Sequence, residues 1–237
     1  MNILTSAPVS SLLQQLFQEA DQVNSPELAS ISPEQREQFM RSKTGYRELY
    51  ARIKEMWLPV SAETGQLLYM LARASHARYI VEFGTSFGIS TIYLAAALRD
   101  NGGGLIITTE FETTKLVRAK QHLQQAGLSD LVEFRSGDAL QTLSQDLPAA
   151  IDMVLLDGAK ALYDDVLNLL EAHLRPGALI LADNTNYCPD YLQRVRDPAQ
   201  HYLSLAFNQE VELSMWSGRK SDHAGTGTKE LVTSYNL

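Results

Sequence analysis

The sequence of 237 residues is 45% hydrophobic and 20% charged, a balance typical of globular proteins, and its length suits one full α/β domain. Its formal net charge of −8 at pH 7 and the lack of a basic stripe argue against nucleic acid as a partner, because binding to a phosphate backbone depends on clustered cations. The single cysteine, Cys188, excludes an internal disulfide, and the five scattered histidines offer no Cys/His zinc cluster, so any bound metal must be held by oxygen ligands.

Residues 1–57 differ in pattern from the rest of the chain. They are polar and have helical periodicity, first in SLLQQLFQEA and then over residues 34–57, with interruptions at Pro8, Pro26 and Pro33. We interpret this segment as a helical cover that contacts the substrate or a second subunit. Its start lacks the positive charge and the unbroken apolar stretch of a signal peptide, and no later run could span a bilayer. A cytoplasmic protein with no membrane partner is therefore expected.

From Tyr79 onward, short apolar runs rich in β-branched residues alternate with longer helical patterns, which is the order of βα units in a parallel sheet. The alternation predicts five strands, at residues 79–83, 105–110, 131–136, 151–157 and 178–183. Helices are predicted between them, for example over residues 90–100 and 113–127. The second of these ends at Gly127, because glycine readily adopts the left-handed conformation that closes a helix.

The chain after the fifth strand predicts a loop and a short helix, followed by a β-hairpin. The loop covers residues 184–190 and the helix begins at Pro189. The hairpin turns around Asn208 and Gln209. The prediction for residues 58–217 is therefore a doubly wound α/β fold with a Rossmann-like, seven-stranded sheet that ends in an antiparallel hairpin. Residues 218–237 are small and polar, and we expect them to form a mobile tail.

The segment E-F-G-T-S-F-G-I-S, residues 82–90, joins the first predicted strand to a helix. Gly84 lets the backbone approach a ligand, and the N-terminus of the helix that follows favours a negative group. A dinucleotide fingerprint would place its second and third glycines where Ser86 and Ile89 stand, which argues against a nicotinamide cofactor. The alternative interpretation is that Gly84 only eases a turn between a strand and a helix.

Acidic side chains stand at the ends of three predicted strands. Glu110 ends the second strand, at a distance along the chain that suits a carboxylate gripping a ribose diol. Asp157 follows the apolar run MVLL, and Asp183 with Asn184 follows LILA. Because adjacent parallel strands would bring the last three together, they predict an oxygen-only site suited to Mg²⁺ or Ca²⁺. The alternative is that Asp157 begins a turn and that Asp183 or Asn184 caps a helix.

Lys160 lies three residues after Asp157 and is a candidate general base. A nearby divalent cation disfavours the ammonium form of a lysine, which makes a neutral amine more accessible as a proton acceptor. The alternative is an ordinary solvated lysine at the protein surface.

Taken together, these residues resemble the catechol and caffeoyl-CoA O-methyltransferase family of class I S-adenosylmethionine-dependent methyltransferases, over residues 57–216. Residues 82–90, preceded by T-G-Q at 64–66, are similar to the family's first methyltransferase motif. For the cofactor, S-adenosylmethionine, the resemblance implies that Glu82 binds the methionine amino group and Glu110 the ribose hydroxyls. It implies that the remaining cofactor contacts come from Val60, Gly84, Ser86, Ser90, Gly137, Asp138 and Ala139.

The resemblance also implies the reaction: metal-dependent transfer of a methyl group to a hydroxyl of a small, catechol-like or other metal-chelating acceptor, by a homodimer. Asp157, Asp183 and Asn184 match the family's metal ligands, for Mg²⁺ with Ca²⁺ or Mn²⁺ as alternatives, and Lys160 matches its catalytic base. Gly158 and Ala159 stand where the catechol enzymes carry bulkier residues, so a more open wall near the adenine and the substrate is expected.

Three alternatives remain at this point. The serious one is methylation of a non-catechol hydroxyl or an amine in secondary metabolism, which would leave an almost identical sequence. A nicotinamide oxidoreductase uses the same kind of sheet, but its glycine fingerprint is missing. A non-catalytic module that binds S-adenosylmethionine would have no need of the metal and base residues that this chain retains.

Overall fold

The centre of the fold is a mixed β-sheet, seen in a computed structural model that describes residues 2–23 and 30–219. Its strands are β1 Tyr79–Phe83, β2 Leu105–Glu110, β3 Val132–Ser136, β4 Ile151–Leu156, β5 Leu174–Ala182, β6 Tyr202–Ala206 and β7 Glu212–Trp216. Within the described residues they form one seven-stranded sheet in the order β3-β2-β1-β4-β5-β7-β6. Strands β1 to β5 are parallel, and β7 pairs antiparallel with both β5 and β6. The predicted seven-stranded fold with its closing hairpin is confirmed.

Helices cover both faces of this sheet. They are α1 Val9–Gln22, α2 Pro33–Arg41, α3 Tyr46–Arg52, α4 Ala62–Ala74, α5 Ile89–Asp100, α6 Thr113–Gln125, α7 Ala139–Thr142, α8 Tyr163–Leu170 and α9 Pro189–Arg196. Alternate strand residues point to opposite faces. Ile80 lies in the core that contains residues of α1, α4, α5 and α6, whereas Val81 lies in the core that contains residues of α7, α8 and α9. This double burial explains why the central strands read as continuous apolar runs.

One strand begins earlier than the sequence predicts. β5 starts at Leu174 and not at residue 178, because Leu174 pairs with Ile151 of β4 ahead of a register shift. The intervening residues Arg175, Pro176 and Gly177 have the composition of a turn, which conceals the strand in the sequence. The carboxyl end of β5, which matters for the site, lies where it was predicted.

The N-terminal cover differs from the prediction of one helical stretch over residues 34–57. Its helices α2 and α3 are separated by a turn in which the Gly45 amide donates to the Ser42 hydroxyl at 2.8 Å. Helix α2 begins with a capping box between Ser32 and Gln35, which explains its sharp start at Pro33. Helix α1, in contrast, packs against α5 on one face of the sheet. Of the helices described in this segment, α2 and α3 therefore lie over the carboxyl ends of the strands.

Ion pairs connect the cover to the sheet domain. Lys43 pairs with Asp165 of α8 at 2.6 Å, and Arg47 pairs with Asp138 at 2.6 Å. No helix in residues 2–23 or 30–219 combines the length and the apolar character needed to cross a membrane. The tail predicted from residue 218 onward falls almost wholly outside the described residues, so its mobility stays a prediction.

Candidate active site

A cavity of about 370 Å³ opens between the carboxyl ends of the strands and the helices α2 and α3. Ligands bind at this edge in open α/β sheets, because the loops there diverge from one another. Most of the site residues predicted from the sequence line this cavity: Gly84, Ser86, Glu110, Gly137, Asp138, Ala139, Asp157, Lys160, Asp183 and Asn184.

Gly84 brings the loop after β1 into contact with the loop after β4. Its φ of +104° belongs to the region that favours glycine, and a Cβ there would lie 2.6 Å from the Asp157 carbonyl oxygen. The Asp157 amide in turn donates to the Phe83 carbonyl at 2.8 Å. Because a side chain at Gly84 would push the two loops apart, this glycine places Asp157 directly beside the glycine loop.

The Glu110 carboxylate is held in place by backbone amides. One oxygen accepts from the Ser86 amide at 2.8 Å and the other from the Glu112 amide at 2.9 Å. Ser86 has a φ of +47°, an uncommon conformation for a residue other than glycine, and it points its amide at Glu110. A carboxylate can accept about four hydrogen bonds, so Glu110 keeps acceptor capacity for hydroxyl groups in the cavity.

Glu82 lies beneath the glycine loop and does not reach the cavity surface. Its fully buried carboxylate accepts hydrogen bonds from the hydroxyls of Ser90, Thr91 and Thr108, each at 2.6 Å. Burial raises the pKa of Glu82 to about 7, although these three hydroxyl donors act to lower it. The Ser90 hydroxyl is therefore already engaged with Glu82, and the predicted contact of Glu82 with a cofactor amino group stays a prediction.

The segment that carries Val60 is fixed against the glycine loop by aromatic contacts. The Trp57 ring stacks on Phe87 with centroids 4.3 Å apart, and the Arg118 guanidinium lies 4.9 Å from Trp57 and 4.7 Å from Phe87. Val60 and Ser90 line a small recess that adjoins the cavity at Gly84. The predicted cofactor residues Val60 and Ser90 thus lie together in a recess beside the glycine loop.

Asp157 and Asp183 form a pair of partly buried carboxylates at neighbouring strand ends. The Asp183 amide donates to the Leu156 carbonyl at 3.0 Å, which continues the β4–β5 pairing up to the site. Burial, and next the charge of Asp157, raise the pKa of Asp183 to about 6. The Asp183 carboxylate makes no ion pair within the described part of the chain, so its charge is open to a cation in the cavity.

Asn184 completes the predicted metal ligands. It has a φ of +51°, which asparagine tolerates better than most residues, and it lines the cavity beside Asp183. Among the described residues, no three His, Cys, Asp or Glu side chains form a metal-binding group. A cation here would therefore be held by two carboxylates and an amide oxygen, a hard donor set that fits Mg²⁺, Mn²⁺ or Ca²⁺.

Lys160 is a buried lysine with two defined partners, not the solvated surface lysine that the sequence left open. Its Nζ donates to Asp157 Oδ1 and to the Tyr163 hydroxyl, at 2.9 Å each. Burial acts to lower the pKa of Lys160, but the Asp157 carboxylate outweighs this and raises it above its ordinary value. Lys160 is therefore the counter-ion of Asp157.

Tyr163 is a site residue that sequence reasoning missed. Its hydroxyl accepts from Lys160 and donates to the Asp183 carbonyl at 2.8 Å, so it connects the two strand ends. Its ring packs edge-on against Phe83 and Tyr191, with centroids 6.2 and 5.8 Å away. A tyrosine one helical turn after Lys160 is the signal that could have identified it.

The wall of the cavity opposite the strands was also missed. The N-terminal cover contributes a mainly apolar surface with one arginine, made by Arg36, Met40, Tyr46, Leu49, Tyr50, Ile53 and Met56. The sheet side adds Lys115 and Glu210. No local pattern in the sequence places the residues of the N-terminal cover near the strand ends, because the two meet only through the docking of α2 and α3.

The Phe83 ring packs against the backbone at Gly158. A Cβ at Gly158 would lie 2.4 Å from the Phe83 ring, so the ring already occupies the space of the missing side chain. Phe83 itself lines the cavity. The small residue at position 158 therefore makes room for Phe83, and the more open wall expected from Gly158 and Ala159 stays a prediction.

Known proteins that resemble this chain are methyltransferases. A family model described as a methyltransferase domain matches residues 81–185. The chain is 32% identical over 172 residues to caffeoyl-CoA O-methyltransferase 1 of Eucalyptus globulus, covering 71% of this chain and 69% of that protein. It is 35% identical over 130 residues to a catechol O-methyltransferase of Niastella koreensis, an alignment that covers 54% of this chain and 58% of that protein.

A solved structure is similar over most of the chain. It is an O-methyltransferase from Streptomyces achromogenes involved in tomaymycin synthesis, in complex with S-adenosylmethionine. The TM-score is 0.55 and the identity 26%, and the match covers 84% of this chain and 99% of that one. In sequence, the matches to catechol O-methyltransferases of Niastella koreensis and Mycobacterium tuberculosis span 58% and 57% of those proteins, somewhat over half of their length.

Proposed function

Because the chain belongs to the catechol and caffeoyl-CoA O-methyltransferase family, we propose that it transfers a methyl group from S-adenosylmethionine to a hydroxyl of a small acceptor with the help of a divalent cation. The observation that carries this proposal is the meeting of three groups in one cavity. The first is the Glu110 carboxylate, proposed for the ribose, and the second is the buried Lys160. The third is the pair of carboxylates Asp157 and Asp183 beside the Asn184 amide. The donor set at the strand ends fits the cation that the family implies.

The donor end of the cavity is the one lined by Glu110, Gly137 and Asp138. Glu110 would accept hydrogen bonds from the ribose hydroxyls, and residues 137–139 would line the adenine. When bound, S-adenosylmethionine supplies an electrophilic methyl group, so the remaining tasks are to deprotonate the acceptor and to hold it in line. Arg47 lies beside this end, where it pairs with Asp138 and lies 5.8 Å from the Phe111 ring.

The acceptor end contains Asp157, Asp183, Asn184 and Lys160. The first three would hold the cation, which when bound lowers the pKa of a coordinated hydroxyl. Lys160 would take the hydroxyl proton at Nζ. A neutral lysine has two N–H donors and one lone pair, and its two partners, Asp157 and Tyr163, account for both donors. The lone pair then points in the remaining direction, and this is how Tyr163 would orient the base.

The reaction is tested by release of S-adenosylhomocysteine from a panel of vicinal diols, hydroxy acids and amines, with and without Mg²⁺. Turnover of a chelating hydroxyl compound that depends on Mg²⁺ supports the proposal. Metal-independent turnover of amines alone would instead indicate the N-methyltransferase that the sequence left open. No turnover of any compound, in protein that binds S-adenosylhomocysteine, would reject an O-methyltransferase of this substrate range.

Replacing Glu110 with Ala is expected to weaken S-adenosylmethionine binding by roughly tenfold or more, because the ribose hydroxyls lose a charged acceptor worth about 1.5–3 kcal/mol. Isothermal calorimetry measures the loss. Asp130→Ala is the matched control, since this exposed acidic residue pairs with Arg99 at the surface. If folded Glu110→Ala protein binds the cofactor as tightly as the control, Glu110 is not a ribose ligand.

Replacing Tyr163 with Phe keeps the ring contacts and removes only the hydroxyl that positions Lys160. We expect kcat to fall by about 10- to 100-fold, in the range seen when groups that support a metal site are removed, with the KM for S-adenosylmethionine unchanged. Tyr191→Phe is the control, because its hydroxyl does not contact Lys160. Equal losses of kcat in the two variants would show that the hydroxyl of Tyr163 has no positioning role.

A further inference from the structure

Arg36 is a cation in the cavity wall that has no partner in the described part of the chain. It lies in α2 and lines the cavity, yet its guanidinium makes no ion pair or hydrogen bond with any described residue. Its Nε is shielded from solvent as well. A shielded donor without an acceptor costs free energy, and such groups in native proteins call for an explanation.

The location of Arg36 assigns it to the acceptor end of the cavity. Helix α2 packs against the short helical turns Lys160–Leu162 and Thr185–Tyr187. The first begins three residues after Asp157 and the second directly after Asn184. The donor end, at Glu110 and residues 137–139, is covered instead by α3 through the pair of Arg47 with Asp138. An anion that reaches Arg36 would therefore belong to the acceptor and not to the methyl donor.

Two other cations line the cavity within the described residues, and both lie close to carboxylates. Lys160 pairs with Asp157. Lys115 makes no ion pair with a described residue, but it lies in the field of Glu110 and Glu112, at the donor end. Although carboxylates line several parts of the cavity, none of them pairs with Arg36. The guanidinium is thus available to a ligand.

The surface beside Arg36 is apolar and partly aromatic. Met40 lies one helical turn further along α2, and α3 adds Leu49 and Tyr50 from the same side. Such a surface accommodates the faces of a flat ring, whereas the guanidinium suits a planar carboxylate, which it binds in a bidentate manner. Ring, carboxylate and chelating hydroxyls together describe one kind of molecule.

We propose that the acceptor is a hydroxylated aromatic acid whose hydroxyls lie at Asp157, Asp183 and Lys160 and whose carboxylate pairs with Arg36. This inference rests on the proposed function and specifies its substrate class. It explains why an arginine stands in an otherwise apolar wall without a partner of its own.

The test compares 3,4-dihydroxybenzoate with its methyl ester, which has the same ring and hydroxyls but lacks the negative charge. Calorimetry measures the binding of each to the full chain saturated with S-adenosylhomocysteine and Mg²⁺. We expect the wild type to bind the acid at least about tenfold more tightly than the ester, as for a charge-assisted pair. Arg36→Gln should lose this preference and keep its affinity for the ester, which also reports that the variant is folded.

Arg41→Gln is the matched control, because this arginine lies on the same helix and pairs with Glu37 at the surface. It should retain the full preference for the acid. The inference is overturned if the wild type binds acid and ester equally, if it binds neither, or if the preference survives in Arg36→Gln. Methylation of both compounds is measured in parallel, so that binding without turnover in the wild type counts against the proposed function and not against the pairing.

Discussion

Replacing Lys160 with Met is expected to lower turnover by about 10²–10⁴-fold, the usual cost of removing a general base, with the affinity for S-adenosylmethionine nearly intact. Lys160 is 4% exposed and lies at the acceptor end, bound to Asp157 and Tyr163, so its loss affects the acceptor and not the donor. Turnover is measured under saturating acceptor and Mg²⁺, and cofactor affinity by calorimetry.

The matched control for this variant is Lys120→Met, which removes an exposed ammonium near the Phe134 ring on the outer side of the domain. It should retain the wild-type rate. A Lys160→Met protein that turns over at close to the wild-type rate would mean that the cation alone suffices for deprotonation. Lys160 would then be only the counter-ion of Asp157.

Replacing Asp183 with Ala should abolish methyl transfer. Of the two carboxylates proposed to bind the cation, Asp157 pairs with Lys160, whereas Asp183 has no ion pair among the described residues. Loss of one charged ligand from so small a set should collapse metal occupancy, and with it the lowered pKa and the orientation of the acceptor hydroxyl. Turnover with added Mg²⁺ and calorimetric Mg²⁺ binding are the two measurements.

S-adenosylhomocysteine should still bind to Asp183→Ala with near wild-type affinity, since Asp183 lies at the acceptor end. Asp190→Ala is the control, because Asp190 is an exposed acidic residue at the start of α9. Loss of cofactor binding together with turnover would indicate general disruption of the site. Retained turnover in Asp183→Ala would remove this residue from the metal ligands.

Much of the fold could be predicted because the sheet is buried on both faces. Ile80 and Val81 pack into different cores, so the strand reads as an unbroken apolar run that is easily recognised. The start of β5 was not predicted, because Pro176 and Gly177 within it are residues typical of turns. The break between α2 and α3 was not predicted either, since a Ser42 hydroxyl bound to the Gly45 amide closes the turn without any proline.

Some residues of the site could also be predicted from local sequence, whereas others depend on tertiary packing. Asp157 and Asp183 directly follow adjacent strands, so their meeting follows from strand order alone. Arg36 and Tyr50 reach the cavity only because α2 and α3 dock over it, and no local pattern encodes that docking. The contact of Gly158 with the Phe83 ring is likewise a tertiary feature that the local sequence does not encode.

Removal of metal from the wild-type protein tests the proposed cation-dependent methyl transfer most directly. The chain is treated with EDTA, transferred to metal-free buffer, and assayed with S-adenosylmethionine and an acceptor that the untreated protein methylates, before and after addition of Mg²⁺. We predict that chelation abolishes methyl transfer, that Mg²⁺ restores it, and that S-adenosylhomocysteine binds equally in both states. Full activity in rigorously metal-free protein would contradict this, and would leave Asp157, Asp183 and Asn184 as residues that only position the acceptor.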